Sequence, residues 1–207
     1  MSRLRVYAEG DGRQPKRVTT RHDEIAQELG RHGVRFERWR TTVALKPGAD
    51  PEAVIEAYRE DIDRLIRDEG YHAVDVVSLH AEHPQKAELR KKFLDEHTHS
   101  EDEVRFFVAG SGLFSLHLGD EVYEVLCQQG DLIGVPDGTR HWFDMGPNPF
   151  FVAIRLFTNP AGRERTMFLR DADALRGLLD SRSMTQDAVA LRAAAGRRSL
   201  RATALLV

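Results

Sequence analysis

The chain has 207 residues, 41% hydrophobic and 30% charged, enough for one soluble domain to bury a sizeable core. A formal net charge of -3 argues against a dedicated nucleic-acid binder, and the single cysteine, Cys127, excludes a disulfide framework or a cysteine-based zinc cluster. No signal-peptide core opens the chain, and no apolar run approaches the roughly 20 residues needed to span a membrane, so a soluble, cytoplasmic protein is expected.

Residues 4–8 alternate as a short strand, ended by the glycines at 10 and 12. Residues 20–29 read as a helix capped by Thr19 or Thr20 and closed by Gly30, and residues 34–39 as an edge strand. Asp50-Pro51-Glu52 is a strong helix start: a capping acid, a proline at the first turn, then a carboxylate favoured by the helix dipole. Val54, Tyr58, Ile62, Leu65 and Ile66 recur at helical spacing, which predicts one continuous amphipathic helix ending near Gly70. Residues 73–79 form a strand, and 84–92 a short polar helix or loop.

Strands then follow closely, at 104–108, 113–118, 121–127, 132–136 and 150–157. Gly110-Ser111-Gly112, Gly119-Asp120 and the stretch 128–131 read as the turns between them. This order predicts helices first and an antiparallel sandwich or barrel after. Cys127, inside an apolar run, reads as a buried structural thiol. Beyond residue 159 the character changes. Leu169, Ala172, Leu175, Leu178 and Leu179 fit an amphipathic helix, while 186–207 is rich in Ala, Arg and Leu with little periodicity and reads as a solvated helix or frayed end.

The chemistry concentrates in residues 93–105. His97 and His99 are two apart, so on a strand both imidazoles leave the same face, and Glu103 and Arg105 follow with the same parity. His141 comes just past the turn marked by Pro136 and Gly138. A His-x-His pair alone is commonly incidental. Three imidazoles with one carboxylate, however, make a donor set suited to iron, nickel, manganese or zinc. His22, His32, His72, His80 and His83 lack matching spacing. His117 reads as a structural imidazole and is the first substitute if one ligand is misassigned. Phe93 and Phe143 bracket the ligand segments, either as core or as walls for an apolar substrate tail.

Together the two segments resemble the motifs of the cupin superfamily: His97, His99, Glu103 and Gly110 match the first, and Gly130, Pro136, Gly138 and His141 the second. Lys91 and Met145 depart from it at flanking positions. The resemblance implies a mainly β fold, the cupin double-stranded β-helix or jelly-roll barrel, with N-terminal helices packed on the outside. Residues 1–162 are expected to form a single cupin domain, helical over about 15–70 and barrel over about 72–158, with an atypical, partly helical or disordered tail at 163–207.

The stretch 93–105, the run 138–144 and Ile154-Arg155-Leu156-Phe157 are, more narrowly, similar to the acireductone dioxygenase family of methionine salvage. That resemblance implies His97, His99, Glu103 and His141 as ligands of one Fe2+, with Ni2+ as the alternative metal. It further implies that Arg105 helps generate and hold the substrate dianion, that Arg155 faces the substrate, and that Glu96 and Asp102 act in metal incorporation or conformational relay. The implied substrates are dioxygen and 1,2-dihydroxy-5-(methylthio)pent-1-en-3-one. The iron form would give formate and 4-methylthio-2-oxobutanoate, and the nickel form formate, carbon monoxide and 3-methylthiopropionate. A monomer without a nucleic-acid or membrane partner is implied as well. At Arg163 the chain departs from the tryptophan that usually follows this point in the family, which removes an aromatic wall. The competing expectations are another cupin enzyme, an isomerase or a different dioxygenase, and a non-catalytic metal- or ligand-sensing cupin. Arg105 favours an anionic chelating substrate over an isomerase pocket, and no basic recognition helix precedes the barrel to suit a regulator.

Overall fold

The computed structural model describes residues 1–158 and, beyond them, the backbone of two strands, Met167–Phe168 and Thr203–Leu206. The altered position Arg163 and the amphipathic pattern from Leu169 to Leu179 lie outside the described residues.

The strands are β1 (Arg3–Ala8), β2 (Arg17–Thr19), β3 (Arg35–Arg38), β4 (Ala73–Leu79), β5 (His97–Thr98), β6 (Glu103–Leu118), β7 (Glu121–Gln128), β8 (Asp131–Val135), β9 (Arg140–Asp144), β10 (Phe151–Phe157), β11 (Met167–Phe168) and β12 (Thr203–Leu206). The helices are α1 (His22–Gly30), α2 (Pro51–Ala57), α3 (Arg59–Glu69) and α4 (Lys86–Phe93). Among the described residues the strands form one curled, almost wholly antiparallel sheet, with only β12 running parallel to its neighbour β4. No described helix is long and apolar enough to cross a membrane.

β6 joins the two halves of the barrel. Its first part pairs with β8 and β10, and its second with β7 and β9. The expected hairpin at Gly110-Ser111-Gly112 is therefore absent: the chain continues straight through as one 16-residue strand. The glycines instead let the strand change partners. Gly110 sits at φ +70°, and a Cβ there would lie 1.8 Å from the Phe150 carbonyl oxygen, beside a register shift in β10. Glycine supplies both the left-handed conformation and the close backbone approach.

Alternation along the strands sorts the side chains into two layers. Facing inward, Phe107, Phe114, Phe143, Phe151, Val77 and Ile133 form a core that also takes Ile25 and Leu29 of α1. Facing outward from the other half, Val104, Phe106, Leu132, Val152 and Ile154 pack with Val54, Ile55, Tyr58, Ile62 and Leu65 of α2 and α3. Here the single expected helix is two. Tyr58 leaves helical geometry (φ -120°, ψ 20°), and its ring packs edge-on against Phe106 at 5.3 Å. Seating that ring on the sheet outweighs one turn of regular helix, since most helical stability in proteins comes from such packing. The Asp50 cap forms as expected, with Oδ2 accepting from Ala53 N at 3.0 Å. The cap residue of α1, Arg21, makes no side-chain cap, and Thr19 instead accepts from the Arg21 amide.

Candidate metal centre

The barrel mouth gathers residues from three strands. His97 lies on β5 and His141 on β9, directly opposite each other in register, while Glu103 opens β6. His99 follows β5, where its carbonyl accepts from Gly138 N at 3.0 Å and so ties the first histidine loop to the second. Asp102 makes a second tie, its Oδ1 accepting from Asp137 N at 2.9 Å. The result is a compact cluster: one ring nitrogen from each of His97, His99 and His141 lies within 4.8 Å of the others. Glu103 Oε2 is 3.2 Å from His99 Nε2 and 3.8 Å from His141 Nε2, neither contact having hydrogen-bond geometry.

Backbone carbonyls orient two of the rings. His97 Nδ1 is 2.8 Å from Asp95 O, and His141 Nδ1 is 2.8 Å from Thr139 O. Each Nδ1 must donate its proton there, which leaves Nε2 as a lone pair facing the cluster. Burial pushes the His97 imidazole well below the ordinary histidine range, reinforced by His141 and His99. His141 is lowered for the same first reason, against the raising effect of Glu103. Burial alone would raise Glu103, but the Arg105 cation beside it reverses the shift and holds the carboxyl well below its usual range. At neutral pH His97 and His141 thus offer neutral imidazoles and Glu103 an ionised carboxylate, the forms that ligate metal.

Two buried atoms test whether a metal fits. Glu103 Oε2 and His141 Nε2 are shielded from solvent and make no hydrogen bond to any described residue. Leaving such groups unpaired costs about 1–3 kcal/mol each. Two electron-pair donors facing each other cannot satisfy one another, but a cation between them satisfies both. With three nitrogens and one charged oxygen, the set suits a divalent transition metal.

Behind the cluster, Arg105 Nε donates to Glu103 Oε1 at 2.7 Å. The Arg105 guanidinium lies over the rings of Phe143 (4.8 Å), Phe114 (5.0 Å) and Phe93 (5.6 Å). Phe93 and Phe143 are therefore both core residues and neighbours of the buried cation. Across the sheet, Arg155 stands in register with Arg105 on one side and Asp75 on the other. It holds Asp75 through two hydrogen bonds of 2.9 and 2.8 Å. Glu96 lies on the opposite face of the sheet from the histidine cluster and pairs with His117. His117 is thus a partnered imidazole outside the cluster.

Two residues that matter here, Phe114 and Asp75, were not singled out by sequence reasoning, and a third, Gly112, was read only as part of a turn. Phe114 sits opposite Phe143 in register, and only strand alternation could have pointed to it. Asp75 lies in an otherwise apolar strand, and an acid in such a run signals a buried cationic partner. Gly112 leaves room for the aromatic wall: a Cβ there would lie 2.2 Å from the Phe143 ring.

A family model described as the ARD/ARD' family matches residues 3–164. Acireductone dioxygenase of Pseudomonas fluorescens (strain Pf0-1) is 59% identical over 162 residues, which span 78% of this chain and 90% of that protein. The protein of that name from Pseudomonas paraeruginosa (strain DSM 24068 / PA7) is 60% identical over the same share of each chain. Among solved structures, acireductone dioxygenase from Bacillus anthracis with a cadmium ion in its active centre superposes with a TM-score of 0.64 at 28% identity, covering 77% of this chain and 94% of that one.

Proposed function

The chain belongs to the acireductone dioxygenase (ARD/ARD') family, and we propose that it performs that family's metal-dependent reaction in methionine salvage with iron(II) held by His97, His99, Glu103 and His141. The substrate, 1,2-dihydroxy-5-(methylthio)pent-1-en-3-one, and dioxygen become 4-methylthio-2-oxobutanoate and formate. With nickel(II) in the same site the products are 3-methylthiopropionate, formate and carbon monoxide. Bound there, iron(II) supplies neutralising charge and a redox centre for dioxygen, and nickel(II) a Lewis acid. The catalytic unit is residues 1–162, a reading supported by the family match over 3–164.

The observation that carries this reading is the sharing of Glu103 between the histidine cluster and a buried arginine. Arg105 is a permanent cation whose planar fork suits a chelating anion. Its Nε is held by Glu103, so the rest of the fork is oriented before substrate arrives. Stabilising charge in a dry site with fixed donors is worth far more than in water. The phenylalanines around the guanidinium exclude water and give an apolar methylthio tail its wall. Arg155 adds a second cation beside Arg105, held in place by Asp75. Asp102 keeps the two ligand loops clasped at the rim.

Anaerobic loading of the metal-free chain with iron(II) or nickel(II), followed by acireductone and oxygen, tests the reading. Formate is expected with both metals and carbon monoxide with nickel alone. No formate from either fully loaded form would overturn it.

A further inference from the structure

β5 is two residues long and meets β9 at a single register pair, His97 with His141. Its other edge is flanked by β11. One pair is a weak determinant of register, yet the two imidazoles are held with centroids 4.5 Å apart. Something beyond the ladder must hold these strands.

The residues preceding the two ligands, Glu96 and Arg140, point to the opposite face of the sheet. On that face His117 of β6 stands directly across from Arg140, just as Leu116 stands across from His141. His117 Nδ1 lies 3.0 Å from Glu96 Oε1, and its Nε2 lies 2.9 Å from Arg140 Nη2. Arg140 Nη1 closes the triangle 3.8 Å from Glu96 Oε2. Arginine can only donate, so in its contact with Arg140 the His117 Nε2 accepts, while Nδ1–H donates to Glu96. The carboxylate of Glu9 borders the group, 3.3 Å from the same Nε2. Glu96 and His117 are 3% and 5% exposed, so water competes little for their hydrogen bond.

We propose that His117 is a positioning residue of the metal centre: a hydrogen-bonded bridge on the outer face that ties Glu96 to Arg140 and so fixes the strand of His97 against that of His141. The inference rests on the preceding reading that these histidines bind a divalent metal. Each end of the bridge is one residue from a ligand, so a displaced end displaces an imidazole. Outer partners of this kind act on metal affinity without touching the ion.

The test uses the full chain stripped of metal, with nickel(II) affinity measured by chelator competition and thermal unfolding followed on the metal-free protein. His117→Leu is expected to weaken nickel binding by about tenfold or more, within the usual range for such partners. The metal-free melting point should move little. His117→Gln, which can donate through its amide and accept through its carbonyl, is expected to restore most of the affinity. Arg140→Leu, at a side chain 40% exposed, breaks the bridge from its outer end and should weaken nickel as well. Wild-type affinity in His117→Leu overturns the proposal, as does a loss that His117→Gln fails to restore. If the leucine variant does not fold, unchanged affinity in Arg140→Leu overturns it. Should the unaltered chain take up no nickel, the metal reading itself fails and carries this inference with it.

Discussion

The Asp75–Arg155 pair and the His97–His99–Glu103–His141 cluster share one barrel interior, but only the first is complete in itself. Asp75 and Arg155 satisfy each other through a two-point fork, both buried. The cluster is buried except at the partly exposed His99, yet it leaves Glu103 Oε2 and His141 Nε2 without a hydrogen bond to any described residue. Buried polar groups that close on themselves are structure; those that converge without closing await a ligand. Arg105 stands between the two, in register with Arg155 and bonded to Glu103.

Mutations should separate the two regions. His97→Ala removes a ligand and should abolish stoichiometric metal binding, read by elemental analysis of the purified protein. Arg105→Ala should keep the metal and lose turnover by about 10²–10³-fold, the usual effect of removing one oriented electrostatic donor. Equal metal loss in both variants would show that ligand and anion-binding roles are not divided as drawn. Asp75→Ala leaves Arg155 as an uncompensated buried cation, and the expected cost is about 3–5 kcal/mol of folding stability. Denaturant unfolding of the metal-free protein measures it. A change below 1 kcal/mol would mean that Arg155 finds another partner, and the claim of a self-contained pair would fall.

A smaller effect, set by pH, should come from the ligand cluster. The folded-state pKa values of His97, His141 and Glu103 all lie below their ordinary ranges. Each group therefore takes up its proton more readily when unfolded. The stability it contributes is present above its unfolded pKa and is lost as pH falls through the lowered folded value. The metal-free protein should accordingly be fully stable at neutral pH and begin to weaken below about pH 6.5, the unperturbed histidine value. Replacing His141 by Gln should flatten the upper part of that decline. An unchanged pH profile in this variant would contradict the assigned cause.

Much of this site was legible in the chain. The two-residue period put His97, His99, Glu103 and Arg105 on one face, and the Pro136–Gly138 turn brought His141 to the same end of the barrel. Glycine was harder to read. A glycine cluster signals a turn and a partner-switching bend in the same way, so the stretch at Gly110 looked like a hairpin. Similarly, an uninterrupted apolar stripe does not reveal a helix broken at Tyr58, because the break comes from a ring seated on a distant strand.

What the sequence determined by itself is the candidate donor set: three imidazoles and a carboxylate at matching parity, followed by a cation. Local spacing suffices for this, because alternation along a strand is a property of the backbone alone. Tertiary structure decided everything that depends on which strand lies beside which. It set Arg155 between Arg105 and Asp75, Phe114 opposite Phe143, and His117 between Glu96 and Arg140, the residues preceding His97 and His141. Those neighbours are separated by tens of residues in the chain, and only the closing of the barrel, with its dry interior, brings their charges and rings into contact.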